Sequence, residues 1–459
     1  MVKRGDCFIC VVMIAVSIFL FSCKKDFLDA KPTSGLIVPS SISDFQAILD
    51  NPNTFNLNQT ILGEASTDDY FIPNANYQSV AVIEQGIYTY AQNLVGYDNI
   101  SDWDGQYRAI LLSNLSLEGI DKITPNASNA VAWGNVKGTA LFKRSFAFFN
   151  LAQEFAKGYN ASTASTDLGI ILKLNSDVNE HLGRSTIGQT YNQIIGDLRS
   201  ASNYLQPLPL GNNFYRPSLP AVYGLLARVY LSMGDYNSAY LYADSCLQLK
   251  NDLDDFNTVN PNSYPTIKAP DKEVIYDADM GRFTDNGFGK NSPVDTNLFA
   301  SYAANDLRAI VYFKPYQGYQ ISTAPYTGGS VKQMGLVTDE IYLIHAESNA
   351  RLGRITAAMN DLNTLLSTRW RTGTYINYTA SSASDALNKI LIERRKELVF
   401  RGTRWTDLRR LNLDPNYATT LSRTVNGTVY TLPPNDPRYV FPIPSYETLY
   451  NSNVQQNIR

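Results

Sequence analysis

Between residues 103 and 250, and again between 337 and 412, apolar residues return every three or four positions, the period of a helix that buries one face. In "WDGQYRAILLSNLSLEGIDKI", residues 103–123, the stripe is Tyr107, Ile110, Leu111, Asn114, Leu117 and Ile120. A second helix is predicted over "NAVAWGNVKGTALFKRSFAFFNLAQEF", residues 129–155, which carries Phe and Leu at helical spacing and no proline. A third, in "TIGQTYNQIIGDLRSASNYLQPLP", residues 186–209, is apolar at Tyr191, Ile194, Ile195, Leu198 and Leu205. It ends against Pro207 and Pro209, which cannot extend it.

Two later segments share a plan. "AVYGLLARVYLSMGDYNSAYLYADSCLQL", residues 221–249, runs from an apolar helix through Gly234-Asp235-Tyr236 into a helix with Ala239 and Ala243. "EIYLIHAESNARLGRITAAMNDLNTLL", residues 340–366, repeats it, with Gly353 at the turn and Ala346, Ala350, Ala358 and Leu362 on the seam. Small residues where two helices approach, on either side of a glycine turn, are the pattern of tetratricopeptide repeats. The two glycines lie much further apart than the roughly 34 residues of a tandem repeat, so the repeats are interrupted.

The insert between them, about 251–336, is rich in Asn, Asp, Pro, Gly and Tyr and lacks a helical period. Long loops on a rigid helical scaffold are where function usually sits. A last helix is predicted over "ALNKILIERRKELVFRGTRWTDLRRL", residues 386–411, with Leu387, Ile390, Leu391, Leu398 and Phe400 inward. Its arginines, Arg401, Arg404, Arg409 and Arg410, are expected to pair with Glu393, Glu397 and Asp407. A proline-broken tail follows. The expected fold is mainly α, an interrupted tetratricopeptide-repeat scaffold with one loop-rich face.

The chain opens differently. Lys3 and Arg4 precede a run from Phe8 to Phe21 that is apolar except for Ser17, the length of a signal-peptide core and too short to span a bilayer of roughly 30 Å. The run stops at Leu20-Phe21-Ser22-Cys23, which looks like the lipobox of bacterial lipoproteins; the alternative is a plain secretory signal cut nearby. On the first reading residues 1–22 are a signal peptide and Cys23 carries the lipid, tethering one domain, residues 23–459, to a membrane. Lys24, Lys25 and the acids after them resemble the surface-export context of Bacteroidetes lipoproteins.

Composition narrows the function. A net charge of −3, with no Lys/Arg stripe, argues against nucleic acid as a partner. Cys7 and Cys10 fall inside the apolar run, and Cys246 reads as a small buried side chain, so no disulfide framework or zinc site is expected. His345 falls on the repeat helix beside Ala346 and reads as a packing residue, His181 lies in a polar loop with no obvious partner, and metal-ligand, nucleophile-elbow and phosphate-loop spacings are absent. Asp68-Asp69 and Asp277/Asp279 are acid pairs without evidence of glycosidase geometry, and Asp252, Asp254 and Asp255 lack the Gly and Glu of a calcium loop. No catalytic residue, metal or cofactor is expected.

The 30 tyrosines point instead to recognition, since an aromatic ring stacks on the apolar face of a sugar while amides and acids bind its hydroxyls. Two loops have that composition. One precedes Trp103 and carries Tyr88, Tyr90, Tyr97, Asp98 and Asn99. The other is the insert, with Arg282, Phe283, Phe288, Tyr316, Tyr319 and Tyr326. Trp103 and Trp405 sit in helical motifs and read as packing residues.

Taken in order, Cys23 with "KKDFLDAKP", "WDGQYRAILLSNLSLEGI", "YNQIIGDLRSA", "LLARVYLSMGDYNSAYLYAD", "YLIHAESNARLGRITAAMNDLN", "ERRKELVFRGTRWTDLRRL" and "FPIPSYETLYNSNVQQN" resemble the SusD/RagB family of nutrient-binding outer-membrane lipoproteins. Arg401 departs from the family motif, which has an acid before the glycine, and the insert is short for the family. The resemblance implies a surface lipoprotein that captures oligosaccharides, or in some members peptides, and acts as a lid on a SusC-like TonB-dependent transporter. It also implies that the loop before the Trp103 helix contacts ligand, with Tyr97 stacking on a sugar ring and Asn99 binding hydroxyls. The other reading it leaves is a mainly structural lid with little glycan affinity.

Overall fold

The computed structural model describes residues 38–284, 287–327 and 331–459. The signal segment and Cys23 lie outside the described residues. Residues Ser41–Arg459 form one unit. Its longer helices are α1 (Ile42–Leu49), α2 (Val82–Tyr88), α3 (Asp102–Ile120), α4 (Ala130–Phe155), α5 (Ile187–Ala201), α6 (Leu219–Met233) and α7 (Tyr236–Leu249), then, beyond the insert, α8 (Thr338–Arg351), α9 (Ile355–Ser367), α10 (Ala383–Glu397) and α11 (Arg404–Leu411). Strands β1 (Val274–Tyr276), β2 (Phe313–Tyr316), β3 (Tyr319–Ser322), β4 (Leu336–Val337), β5 (Leu421–Val425) and β6 (Thr428–Leu432) pair two by two, β1 with β4, β2 with β3 and β5 with β6, all antiparallel.

Each long helix packs on the next, α3 on α4, α4 on α5, α5 on α6 and α6 on α7. The stack then continues from α7 to α8 although the whole insert intervenes in sequence. The interrupted repeats are thus continuous in space, and the fold is the helical, tetratricopeptide-like scaffold expected. The turns at Gly234 and Gly353 have φ of 73° and 75°, a conformation that a Cβ disfavours. Ala239, Ala243, Ala346 and Ala358 are fully buried on the seams.

Helix starts follow side-chain chemistry. Ser41 with Asp44 and Thr186 with Gln189 form capping boxes for α1 and α5, and Asp235 caps α7. Cys246 is buried, as expected, and its thiol donates to the Pro220 carbonyl at 3.2 Å. His345 packs on Tyr240 with ring centroids 4.7 Å apart, its Nδ1 at 2.8 Å from Asp361.

The last helix differs from its sequence reading. Instead of one helix over 386–411, the chain breaks after Glu397, turns through Phe400 (φ 61°) and Gly402 (φ 70°), and restarts as α11. The charges pair accordingly over long range. Glu393 and Glu397 serve the insert and its flank: Arg308 reaches Asp306 at 2.7 Å, Glu393 at 2.5 Å and Glu397 at 3.0 Å, while Arg369 joins Glu397 (2.7 Å) to Glu273 (2.9 Å). Arg308, Arg369, Glu273 and Glu397 have no exposed side-chain surface, so each charge depends on its partners. Arg401, the departure from the family motif, pairs with Asp339 at 3.3 Å. Arg410 binds Glu347 and Asp407, and Arg409 donates to the carbonyls of Gln153 and Ala156.

Candidate functional site

Three stretches remote in sequence are laced side by side at one edge of the scaffold. Phe71 N–H donates to the Pro293 carbonyl (3.1 Å), Asp295 N–H to the Asp69 carbonyl (2.8 Å) and Val294 N–H to the Gln320 carbonyl (2.9 Å). This lacing brings two aromatic side chains from distant loops together: Phe71 and Tyr319 meet edge to face, centroids 5.4 Å apart at 80°. Phe71 is half-buried and Tyr319 is 39% exposed, so both offer ring surface to solvent. They line a cleft of about 330 Å³ with Asp68, Tyr70, Ile72, Pro73, Asn74, Tyr88, Asp295, Ser422, Arg423 and Thr424.

The floor is held by charge. Asp68 accepts from Arg404 at 2.7 and 2.8 Å, with Arg395 at 3.1 Å. Burial raises the carboxyl pKa, but these two guanidiniums outweigh burial and hold it below the usual carboxylate range. Its neighbour Asp69 is buried against Arg395 at 3.3 Å, and burial lifts it to about 6. Arg423 reaches in from β5: it lies over the Tyr88, Tyr70 and Tyr90 rings at 3.9, 4.9 and 5.6 Å and donates to Tyr90 Oη and to the carbonyls of Tyr70 and Thr67. No carboxylate is paired with it among the described residues. The guanidinium ties the 67–90 loop to the β5–β6 hairpin.

Residues singled out from sequence have different fates. Tyr319 lines the cleft with an open ring. Tyr88 also lines it but is 3% exposed, its hydroxyl accepting from Ile72 N–H. Tyr90, Tyr97, Phe288 and Tyr326 are 3%, 7%, 1% and 0% exposed and present no ring face to solvent. Tyr90 serves Arg423, Phe288 packs edge to face on Tyr70, and Tyr326 donates to Glu273 at 2.7 Å. Tyr97, expected to stack on a sugar, is instead turned into the core, and burial beside Glu154 and Asp102 raises its hydroxyl pKa. Asp98 is exposed, but its carboxylate caps the short helix Ser445–Tyr450 through Ser445 N–H (2.8 Å) and the Ser445 hydroxyl. Tyr316 is exposed at the hairpin end, outside the cleft lining. Asn99, Arg282 and Phe283 meet in a second cleft of about 520 Å³, beside Val82, Ile83 and Val95.

Other cavities suit a ligand less well. A groove of about 770 Å³ between 157–168 and 435–440 has Tyr439 as its only aromatic, 4% exposed. An enclosed chamber at Glu64, Arg394 and Trp405 has about 30 Å³, room for water alone. Among the described residues no group of three or more His, Cys, Asp and Glu side chains is placed to hold a metal ion, and no helix is long and apolar enough to cross a membrane. Phe71, Asn74 and the hairpin residues Ser422, Arg423 and Thr424 escaped sequence reasoning. The hairpin had a signal, Asn426-Gly427 between alternating residues, which favours a two-residue turn.

A family model described as "Starch-binding associating with outer membrane" matches residues 26–231, and one described as "SusD family" matches residues 338–459. A SusD-like protein from Formosa agariphila is 24% identical over 431 residues, covering 77% of this chain and 79% of that protein. Among solved structures, a SusD superfamily protein from Bacteroides thetaiotaomicron superposes with a TM-score of 0.73 at 22% identity, over 91% of this chain and 100% of that one. A SusD-like carbohydrate binding protein from Bacteroides vulgatus gives 0.70 at 19% identity, over 91% and 98%. At such identities the structures speak for the fold.

Proposed function

The chain belongs to the SusD/RagB family, and from that membership we propose that it is a lipid-anchored protein of the outer membrane that captures oligosaccharides in the Phe71–Tyr319 cleft and passes them to a SusC-like TonB-dependent transporter. It is a binding protein and not an enzyme. The observation that carries the sugar reading is the open edge-to-face pair of Phe71 and Tyr319 beside Asn74, Ser422 and Thr424. Flat rings bury the C–H face of a pyranose while the flanking polar groups exchange hydrogen bonds with its hydroxyls. Asn99, Arg282 and Phe283 in the second cleft, at the other end of α2, are proposed to meet longer ligands. The anchor rests on Cys23 at the end of the apolar run, the transporter on the family.

The test is calorimetric titration of the chain from residue 24, which contains the whole unit Ser41–Arg459, with a panel of plant, host and microbial oligosaccharides. One class is expected to bind, and Phe71→Ala and Tyr319→Ala are each expected to weaken it at least about tenfold, the loss of one stacked ring. Silence across the panel, or binding of peptides alone, would overturn the proposal.

A further inference from the structure

The cleft has a main-chain wall. β5 and β6 are joined by Asn426-Gly427, both at positive φ (49° and 83°), with Val425 paired to Thr428. In such a two-residue turn the flanking pair exchanges both hydrogen bonds and the pattern then alternates. Val425, Arg423 and Leu421 therefore bond β6, while the N–H and C=O of Thr424 and Ser422 point off the opposite edge. Among the described residues no backbone group pairs with that edge. Side chains alternate too, and Arg423 sends its side chain to the cleft floor, so those of Ser422 and Thr424 leave by the other face. What these two residues present to the cleft they line is their main chain.

Charge narrows what that wall can receive. The charged residues lining the cleft are Asp68, Asp295 and Arg423. Arg423 is 6% exposed, with three of its five N–H donors bonded to Tyr90, Tyr70 and Thr67. Asp68 keeps a quarter of its side chain exposed in front of Arg404 and Arg395. Asp295 is half-buried and commits one oxygen to Leu298 N–H at 2.8 Å. Among the described residues the cleft thus opens onto one carboxylate without a cationic partner, Asp295, while the cation in its lining, Arg423, is buried.

We infer that the cleft selects neutral glycan chains, reading their hydroxyls with the free main-chain edge of β5 and turning away uronic and sulfated sugars. This rests on the oligosaccharide reading above. Each outward residue sets a donor beside an acceptor, and a sugar hydroxyl can satisfy both. A carboxylate or sulfate only accepts: it leaves the carbonyls of Ser422 and Thr424 without a donor and is repelled by Asp295.

The experiment uses the chain from residue 24 and pairs of oligosaccharides that share a linkage and differ at C6, such as mannohexaose and hexamannuronate or cellohexaose and its glucuronate counterpart, with a sulfated hexamer added. In every pair that shows binding, the neutral member is expected to bind at least about tenfold tighter, and the gap to narrow in Asp295→Asn, which removes charge while keeping a capping oxygen. For the bound ligand, Thr424→Pro and Ser422→Pro, which delete an outward N–H at an edge where proline is tolerated, should each weaken binding at least about tenfold. Thr424→Ala and Ser422→Ala, which keep the outward N–H, should each weaken binding less than the matching proline. Thermal melting confirms that each variant folds, and either proline variant suffices. Tighter binding of the acidic member, or equal effects of Ala and Pro, overturns this inference and leaves the oligosaccharide reading standing. No binding to any member overturns both.

Discussion

Arg423→Met is the perturbation that most directly tests how the cleft is built. Methionine keeps most of the volume and removes the guanidinium, stranding the carbonyls of Thr67 and Tyr70 and leaving the Tyr88 ring without its cation. An unpaired buried carbonyl costs about 1–3 kcal/mol, and stacking of a desolvated cation on an aromatic contributes about 1–2 kcal/mol. Water entering from the cleft rescues part of the carbonyl loss, so about 3 kcal/mol is expected. That loss is local, because Arg423 ties the 67–90 loop to the hairpin and touches none of the repeat seams. Amide hydrogen exchange reads it: about 1.4 kcal/mol is a factor of ten, so protection across 67–90 should fall about a hundredfold while that of α3 and α4 holds. Arg423→Lys retains the charge but is a point donor facing several acceptors, and should fall between. Unchanged exchange over 67–90 in Arg423→Met would refute the clamp.

Three further outcomes are expected. Lys143, buried on α4 with Leu49 O and Asn56 Oδ1 as acceptors, is driven by burial from its ordinary 10.5 to about 7. The unfolded chain therefore holds the extra proton between those values, so wild-type stability should rise relative to Lys143→Met by up to a few kcal/mol from about pH 7 to 10.5 and run parallel below 7; parallel urea-unfolding curves throughout would rule this out. Asp102, lifted by burial from 3.8 to about 6 and set against Glu154, which burial also raises, keeps a proton the unfolded chain has lost. Its contribution is whole below about pH 4 and disappears as pH rises through about 6, and Asp102→Asn should flatten that fall in unfolding free energy. Gly63→Ala would place a Cβ 2.8 Å from Trp405 Cδ1, and a destabilisation of about 1–3 kcal/mol should lower the melting temperature; an unchanged melt would show that the indole can move.

What the sequence made legible was periodic. The stripes over α3 to α7 and the Ala seams at Gly234 and Gly353 are local patterns, and helices and their pairing followed from them. The break between α10 and α11 was marked by Gly402 alone, and a continuous apolar pattern hid it. The site was far less legible. Burial decides whether a loop tyrosine is a ligand contact or a core residue, and Tyr97, Tyr90 and Tyr326 carry no local sign of the Glu154, Arg423 and Glu273 that surround them. Phe71 faces Tyr319 only because the 69–71, 293–295 and 319–322 stretches lie together, a pairing across more than two hundred residues that no window reveals. Arg423 and Asp68 were likewise invisible as a pair of cleft-builders, one in the unread hairpin and one in an acid pair whose partners lie on α10 and α11.

The buried ion cluster has a consequence for the order in which the protein takes shape during synthesis. Glu273 and Arg308 leave the ribosome well before Arg369, Glu393 and Glu397, the residues that complete their pairing. Until α10 has been made, the insert carries charges that cannot be buried, and its loops stay hydrated and unset. β5 is translated later still, after the last repeat helix. A nascent chain halted at residue 412 would own its full helical stack and yet lack one wall of the cleft. The face that meets a ligand can close only after the helical stack is complete.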